Sequence, residues 1–383
     1  MKEQYGNICA SVKTEFFAFE VGATPHPALW ATFSRKGRRI VLRRPAILRL
    51  SIMSQQPLVA RTAQSSHLMD MAVAARVNPK DFFTADEWAP LAEHSSWKGL
   101  ALVAHCWAVI GLATLMGLFW PVTIPLAVMI IGARQLGLGI LQHDAAHGAL
   151  HSDPGVNEWV AEWLCSGGVA RYRKYHLQHH KFAQQTEDPD LVLSAPFPIT
   201  RESFRRKIVR DLTGQTWFKQ RFGLLQYNLK NRAKGAPILP ILGAEIVRQR
   251  RFLVTNAVAI TGFGLAGMLL GRDWWWGWFA LWLLPRATWF QMVTRLRNIA
   301  EHALVAKDEP DPLHHARTTK ANWIERALIA PYYVNYHCEH HMFMHIPCYH
   351  LPKAHRLLGQ KGVLARMEIA PSYPAMLRLA APA

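Results

Sequence analysis

Long apolar runs separated by strongly basic stretches make the first division of this chain. The run LALVAHCWAVIGLATLMGLFW, Leu100 to Trp120, is long enough to cross a hydrocarbon layer of about 30 Å, and Pro121 ends it. VTIPLAVMIIGARQLGLGIL, Val122 to Leu141, follows with no charge at the turn, so the pair reads as a membrane hairpin. FLVTNAVAITGFGLAGMLL, Phe252 to Leu270, and WWWGWFALWLLPRATWFQMV, Trp274 to Val293, form a second hairpin across a Gly-Arg-Asp turn. The pattern predicts an all-α integral membrane protein, a four-helix bundle of two hairpins with spans at about 100–120, 122–141, 252–270 and 274–293.

Between the hairpins, ESFRRKIVRDLTGQTWFKQRFGLL spaces Phe204, Ile208 and Leu212 four residues apart among Arg and Lys. That is the pattern of a helix lying on a membrane surface, or of an ordinary solvated face. Trp274, Trp275, Trp276 and Trp278 gather at one end of the fourth run, where indoles favour the headgroup boundary. Arg134 is a charge inside the first hairpin, expected either to snorkel outward or to face a cavity.

Charge orients this arrangement. Asp144 to Arg251 contains 17 Lys and Arg, whereas the turns inside the hairpins contain only Arg272, so the middle segment and both termini are expected on the cytoplasmic side of a plasma (inner) membrane. Over the whole chain Lys and Arg exceed Asp and Glu by 44 − 26 = 18. No helix-turn-helix, zinc-finger or RNP-type motif accompanies the excess, so nucleic acid is not the expected partner. Cys9, Cys106, Cys165, Cys338 and Cys348 show no CxxC or regular spacing, which excludes a disulfide scaffold and a zinc ribbon.

Residues 1–52, which include RKGRRIVLRRPAILRL, lack a continuous apolar core. Met53 is the expected natural start and the residues before it an upstream extension, a basic targeting or lipid-binding arm being the rival idea. Residues 53–99 read as a cytoplasmic N-terminal segment, 100–355 as the membrane domain and 356–383 as a tail.

Chemistry enters with the histidines. YHLQHH holds His176, His179 and His180, and YHCEHH repeats the spacing with His337, His340 and His341. HDAAH adds His143 and His147, and RNIAEH adds Asn298 and His302. Residues three and four apart share a helix face, so each group is expected to point its nitrogens in a single direction. Four crossings would put all four groups on the same membrane face, in a cap where they can converge. Nine imidazoles exceed what one structural or catalytic zinc takes, and imidazole also suits iron, so two metal ions are implied. Asp144, Glu301 and Glu339 beside the boxes, with Asp188 and Asp190 of the EDPD loop, are candidates to accept the second ring N–H of a ligand histidine. Loop capping around Pro189 is the alternative for the last two. His151, His345, His350 and His355 are expected to be structural or exposed.

Through HDAAHGALH, HLQHH followed by EDPD, and NYHCEHHMFMHIPCYHLPKAH, the sequence resembles the membrane fatty acid desaturase family over about Leu100 to His355. The resemblance implies two irons on the cytoplasmic side of a four-span bundle. Their ligands would be His143, His147, His176, His179, His180, His302, His337, His340 and His341, with Asn298 linked through a water. It implies a reaction in which O₂, two electrons and two protons are consumed as a double bond is inserted into an acyl chain, on an acyl-lipid or acyl-CoA. It also implies an external electron donor, a ferredoxin or a b-type cytochrome with its reductase, because the chain has neither a Cys-rich iron–sulfur motif nor His-Pro-Gly-Gly. The same boxes serve hydroxylases and ketolases of carotenoids or other long lipids, which stand as the alternative. A histidine-rich metal-binding or transport protein is the alternative from another class, disfavoured because the histidines lie outside the apolar runs.

Overall fold

The computed structural model describes residues 77–309 and 311–382, so the expectations for residues 1–52 and for a start at Met53 lie outside the described residues. Most of the described residues are helical, joined by turns and loops and one short pair of strands. Three helices are long and apolar enough to cross a membrane. The first is α1, Lys98–Phe119, and the second is α2, Ile124–Ala146, entered through the turn Pro121–Thr123. Proline suits that turn because its missing N–H falls where a helix start has no partner to give it.

Downstream of α2 come α3, Val169–Lys181, then α4, Arg201–Leu212, and α5, Gln215–Lys230. The third long helix is α6, Leu239–Leu269. It is almost entirely exposed along its apolar window, only 6% of which is buried by the protein itself. An apolar surface of that extent asks for lipid. Past it lie α7, Trp289–His302, and α8, His337–Met342.

The fourth apolar run departs from the expected unbroken span. It is divided into a π-turn over Phe279–Leu283, a short helix Leu284–Ala287 and then α7, with a break at Thr288. Pro285 supplies the cause: it has no N–H to continue the ladder. The Thr288 hydroxyl donates to the Leu284 carbonyl at 2.6 Å across the break. Trp278 Nε1 donates to Asn256 Oδ1 of α6 at 2.9 Å, so one of the four clustered tryptophans ties the run to its neighbour.

Phe204 and Ile208 of α4 pack against the protein's own core, and buried Asp211 receives Arg295 Nη2 at 2.8 Å from α7. The apolar stripe of α4 is therefore half-covered by this chain at Phe204 and Ile208, while Val209 and Leu212 remain exposed. Arg134 does not snorkel outward. It is buried, and its Nη2 donates to the carbonyls of Arg326 and Ala327 at the end of the helix Trp323–Leu328, where unpaired carbonyls favour a cation.

Close packing sets the distance between α2 and α7. A Cβ on Gly132 would lie 2.9 Å from Trp289 Cβ and 3.0 Å from the Phe290 nitrogen. Gly132→Val is therefore expected to destabilise the protein by about 1–3 kcal/mol, the range for overpacking a tight interface. Thermal unfolding of the purified protein in detergent measures this; an unchanged midpoint would count against the close approach.

Candidate metal centre

Local helical geometry decides where each imidazole points. Glycine starts α3: Gly167 and Gly168 have φ of +73° and +70°, a region costly for other residues, and a Cβ on Gly167 would overlap the Arg251 guanidinium. The Gly168 N–H donates to Glu162 Oε2 at 2.6 Å, and Arg251, more than three turns into α6, pairs with the same carboxylate. Arg173 then fixes α3 against the end of α2, its Nε donating to the Ala146 carbonyl at 2.7 Å and its Nη2 to the Ala145 carbonyl at 3.0 Å.

His176, His179 and His180 do not share one direction, as the sequence expectation had it. At about 100° per residue, His180 lies about 40° to one side of His176 and His179 about 60° to the other. The structure uses that divergence. His143, His147, His176, His180 and His340 form one group, and His179, His302, His337 and His341 form a second. In each group the candidate ligand atoms lie within 4.8 Å of one another. The two HxxHH triplets are used reciprocally: α3 gives its i, i+4 pair to the first group and its i+3 residue to the second, and α8 does the reverse. His143 and His147 add an i, i+4 pair to the first group. The corresponding pair on α7 is Asn298 and His302, and Asn298 Oδ1 is buried with no hydrogen-bond partner.

The nitrogen spacings fit a shared cation in each group. His180 Nε2 lies 2.9 Å from His176 Nε2 and 3.1 Å from His340 Nε2. In the other group His302 Nε2 lies 2.9 Å from His337 Nε2, and His179 Nε2 lies 3.2 Å from His341 Nε2. A neutral imidazole nitrogen has one proton or one lone pair, so His180 Nε2 can make only one of its two contacts a hydrogen bond. Nitrogens about 2.1 Å from a common ion and at right angles lie about 3 Å apart. Both ring nitrogens of His143 and of His147 are buried without a partner, a costly arrangement that a metal ion would relieve. Burial holds His176, His180, His302, His337, His340 and His341 well below the ordinary imidazole range, which keeps them neutral and able to donate lone pairs.

The candidate supporting carboxylates fall out differently from one another. Asp188 accepts from His179 Nδ1 at 2.8 Å and from the backbone N–H groups of Gln184 and Asp190 at 2.9 and 2.8 Å. Burial works against a charged His179, yet the Asp188 and Asp190 carboxylates outweigh it and raise that imidazole to about 9. Asp190 stands 3.8 Å from His179 Nδ1 and takes the Tyr175 hydroxyl. Asp144 is 3.9 Å from His143 Nδ1, beyond hydrogen bonding, and accepts the Cys348 backbone N–H at 2.9 Å. Glu339 is turned away from the histidines of its own helix, about 200° round from His337. Its oxygens take the Thr318 hydroxyl and His355 Nδ1, which accounts for a histidine outside both groups. Glu301 accepts from Arg297 Nε at 2.8 Å. It lies 3.6 Å from His337 Nε2, the nitrogen turned toward His302, and not against an outer ring nitrogen as expected. Burial raises Glu301 to about 7 against the pull of Arg297.

The sequence profile described as fatty acid desaturase matches residues 118–369, a span that holds all nine histidines. The chain belongs to the fatty acid desaturase family. Dihydrorhizobitoxine desaturase of Bradyrhizobium elkanii is similar to it, 28% identical over 302 residues that cover 70% of this chain and 76% of that protein. Family membership gives the two histidine groups their context as candidate metal sites.

Other residues of this desaturase-family site carry no motif. Tyr172 stacks on His176 with planes 8° apart, and the Gln184 side-chain amide lies 3.3 Å from His302 Nδ1. Tyr172 stands one helical turn before His176 and Arg297 one turn before Glu301, spacings visible in the sequence; Gln184 reaches His302 only through the tertiary fold.

Proposed function

We propose that this protein is an O₂-dependent di-iron membrane desaturase that introduces a carbon–carbon double bond into a fatty acyl chain. The observation that carries the reading is the pair of buried histidine groups with nitrogens at metal-sharing distance. His143, His147, His176, His180 and His340 would hold one iron, and His179, His302, His337 and His341 the other, with Asn298 in the place that a fifth histidine would take. Two irons there would supply an oxidant strong enough to remove hydrogen from an unactivated methylene, with O₂, two electrons and two protons becoming two waters per double bond. The protein's share is to bury the imidazoles so that most of them stay neutral, to orient His179 through Asp188, and to keep bulk water from the chain. The relative's name makes it a desaturase of dihydrorhizobitoxine, which supports the reaction type at a distance. Four crossings, with both hairpins returning the boxes to the cytoplasmic side, are part of the proposal and rest on the charge pattern. Electrons would come from a separate donor, a ferredoxin or b-type cytochrome.

Expression in a host of defined lipid content, with the products analysed by gas chromatography and mass spectrometry, tests the reaction. The expected result is a new double bond, dependence on an added electron donor, and about two irons per chain. An alcohol in place of the alkene would replace the desaturase reading with a hydroxylase, and zinc as the sole metal under iron-replete growth would end the di-iron reading.

A further inference from the structure

His302 lines two cavities. It shares the larger with His176, His179 and His337, and the smaller spans from exposed Leu304 and Lys307 to the buried pair Gln184 and His302. Its Nε2 is the nitrogen turned toward His337, at 2.9 Å, so Nδ1 is the outer one. An imidazole that gives one nitrogen's lone pair to a metal ion carries its proton on the other, and that N–H needs an acceptor to fix the ring. Gln184 meets it there, with its side-chain amide 3.3 Å from His302 Nδ1.

The loop after α3 holds Gln184 in an unusual state. Its φ is +62°, a left-handed conformation that favours glycine, and its side chain is buried, 2% exposed. Strain of this kind persists only where the surrounding structure fixes it. Asp188 does so here: Oδ2 takes the Gln184 backbone N–H at 2.9 Å, while Oδ1 takes His179 Nδ1 at 2.8 Å. His179 and His302 belong to the same histidine group, their rings 4.8 Å apart and nearly perpendicular. One carboxylate therefore holds the first ring directly and fixes the residue that meets the second. The two ends of an amide are alike in shape, and the place of the imidazole proton selects which end faces the ring. With the proton on Nδ1, that end is the carbonyl oxygen.

On the metal-centre reading above, we infer that Gln184 is a positioning residue for His302: its amide oxygen accepts the Nδ1–H, fixes the tautomer and plane of the ring, and keeps water of the small cavity from taking its place. The segment FAQQTEDPD, Phe182 to Asp190, thus secures two of the four rings of the second group. The rival acceptor is the His315 backbone, which also favours a protonated His302 ring.

Iron release tests this without turnover. The iron-loaded protein, reduced and anaerobic in detergent, is mixed with excess ferrozine, and the absorbance of the ferrous chelate is followed in time. Gln184→Met, similar in length and a far weaker acceptor, is expected to lose about one of two irons tenfold or more faster than the wild type. Gln184→Glu restores an acceptor oxygen and should keep both irons within about threefold of the wild-type rate. Gln184→Ala should behave as the Met variant does, and it decides alone if the Met protein does not fold. In the double variant with Asp188→Asn the fast phase should still hold one iron, because both residues serve the same group. Wild-type release from the Met and Ala variants would overturn the inference and leave His302 to the His315 carbonyl. Release as fast from the Glu variant as from Met would overturn it too, reducing Gln184 to a space-filler. A wild-type protein that holds no iron would remove the metal centre, and this inference with it.

Discussion

Replacing His180 with alanine is expected to abolish detectable turnover and to lower bound iron from about two per chain toward one. His180 has close nitrogen contacts with two other imidazoles, His176 on its own helix and His340 on α8. Losing it leaves the first group short of the nitrogen that joins its α3 and α8 members, and the ring is too deeply buried for water to substitute without rearrangement. Since disturbing even a partner of a metal ligand commonly costs 10- to 100-fold, the loss of a ligand should exceed about a hundredfold. Leu177→Ala, at an exposed position of the same helix, is the matched control and should retain activity and metal. Product formation together with elemental analysis decides the matter, and a fully active His180→Ala protein would refute the assignment.

Asp188→Asn is expected to weaken iron retention or turnover by about 10- to 100-fold while leaving the fold in place. The carboxylate takes a proton donor from His179 and two backbone N–H groups, so it both fixes the ring and supplies the charge that raises His179 to about 9. Asparagine keeps the shape but loses the charge and one of the two acceptor oxygens, so His179 should become a weaker base and a poorer lone-pair donor. Iron loss measured against a graded series of chelator concentrations reads the effect directly. Equal retention in both proteins would show that Asp188 is only a loop cap, the alternative its place beside Pro189 had raised.

The sequence made the nine histidines visible because HxxHH and HxxxH are short-range patterns with a helical meaning, and these nine are the ones the fold gathers. It could not show which histidines of the other helices each diverging ring would join, since that depends on how α2, α3, α7 and α8 pack together. Asp188 was legible through EDPD. Glu339 was misleading because adjacency in sequence is a turn of about 100° on a helix, which sends its carboxylate to Thr318 and His355. The three long apolar helices follow from length and composition alone. The break in the fourth run was written in Leu-Leu-Pro-Arg-Ala, but a hydropathy count passes over one proline. Trp217, Gln291 and Thr294 belong to two helices far apart in sequence, and only the fold shows that they line one cavity beside the histidines.

The long exposed helix α6 makes the cavity beside His176, His179, His302 and His337, which Arg221 and Arg248 also line, answerable to its surroundings. Its 31 residues measure about 46 Å, against about 30 Å of acyl interior in a typical bilayer, so its first turns must emerge or the whole rod must lean. Those turns hold Arg248, which donates to the Arg221 carbonyl at 3.0 Å and so grips the neighbouring wall. Thickening or thinning the host bilayer therefore pulls on the enzyme's own lining, and reconstitution across phosphatidylcholines of graded tail length should shift its substrate affinity with no change to the protein at all.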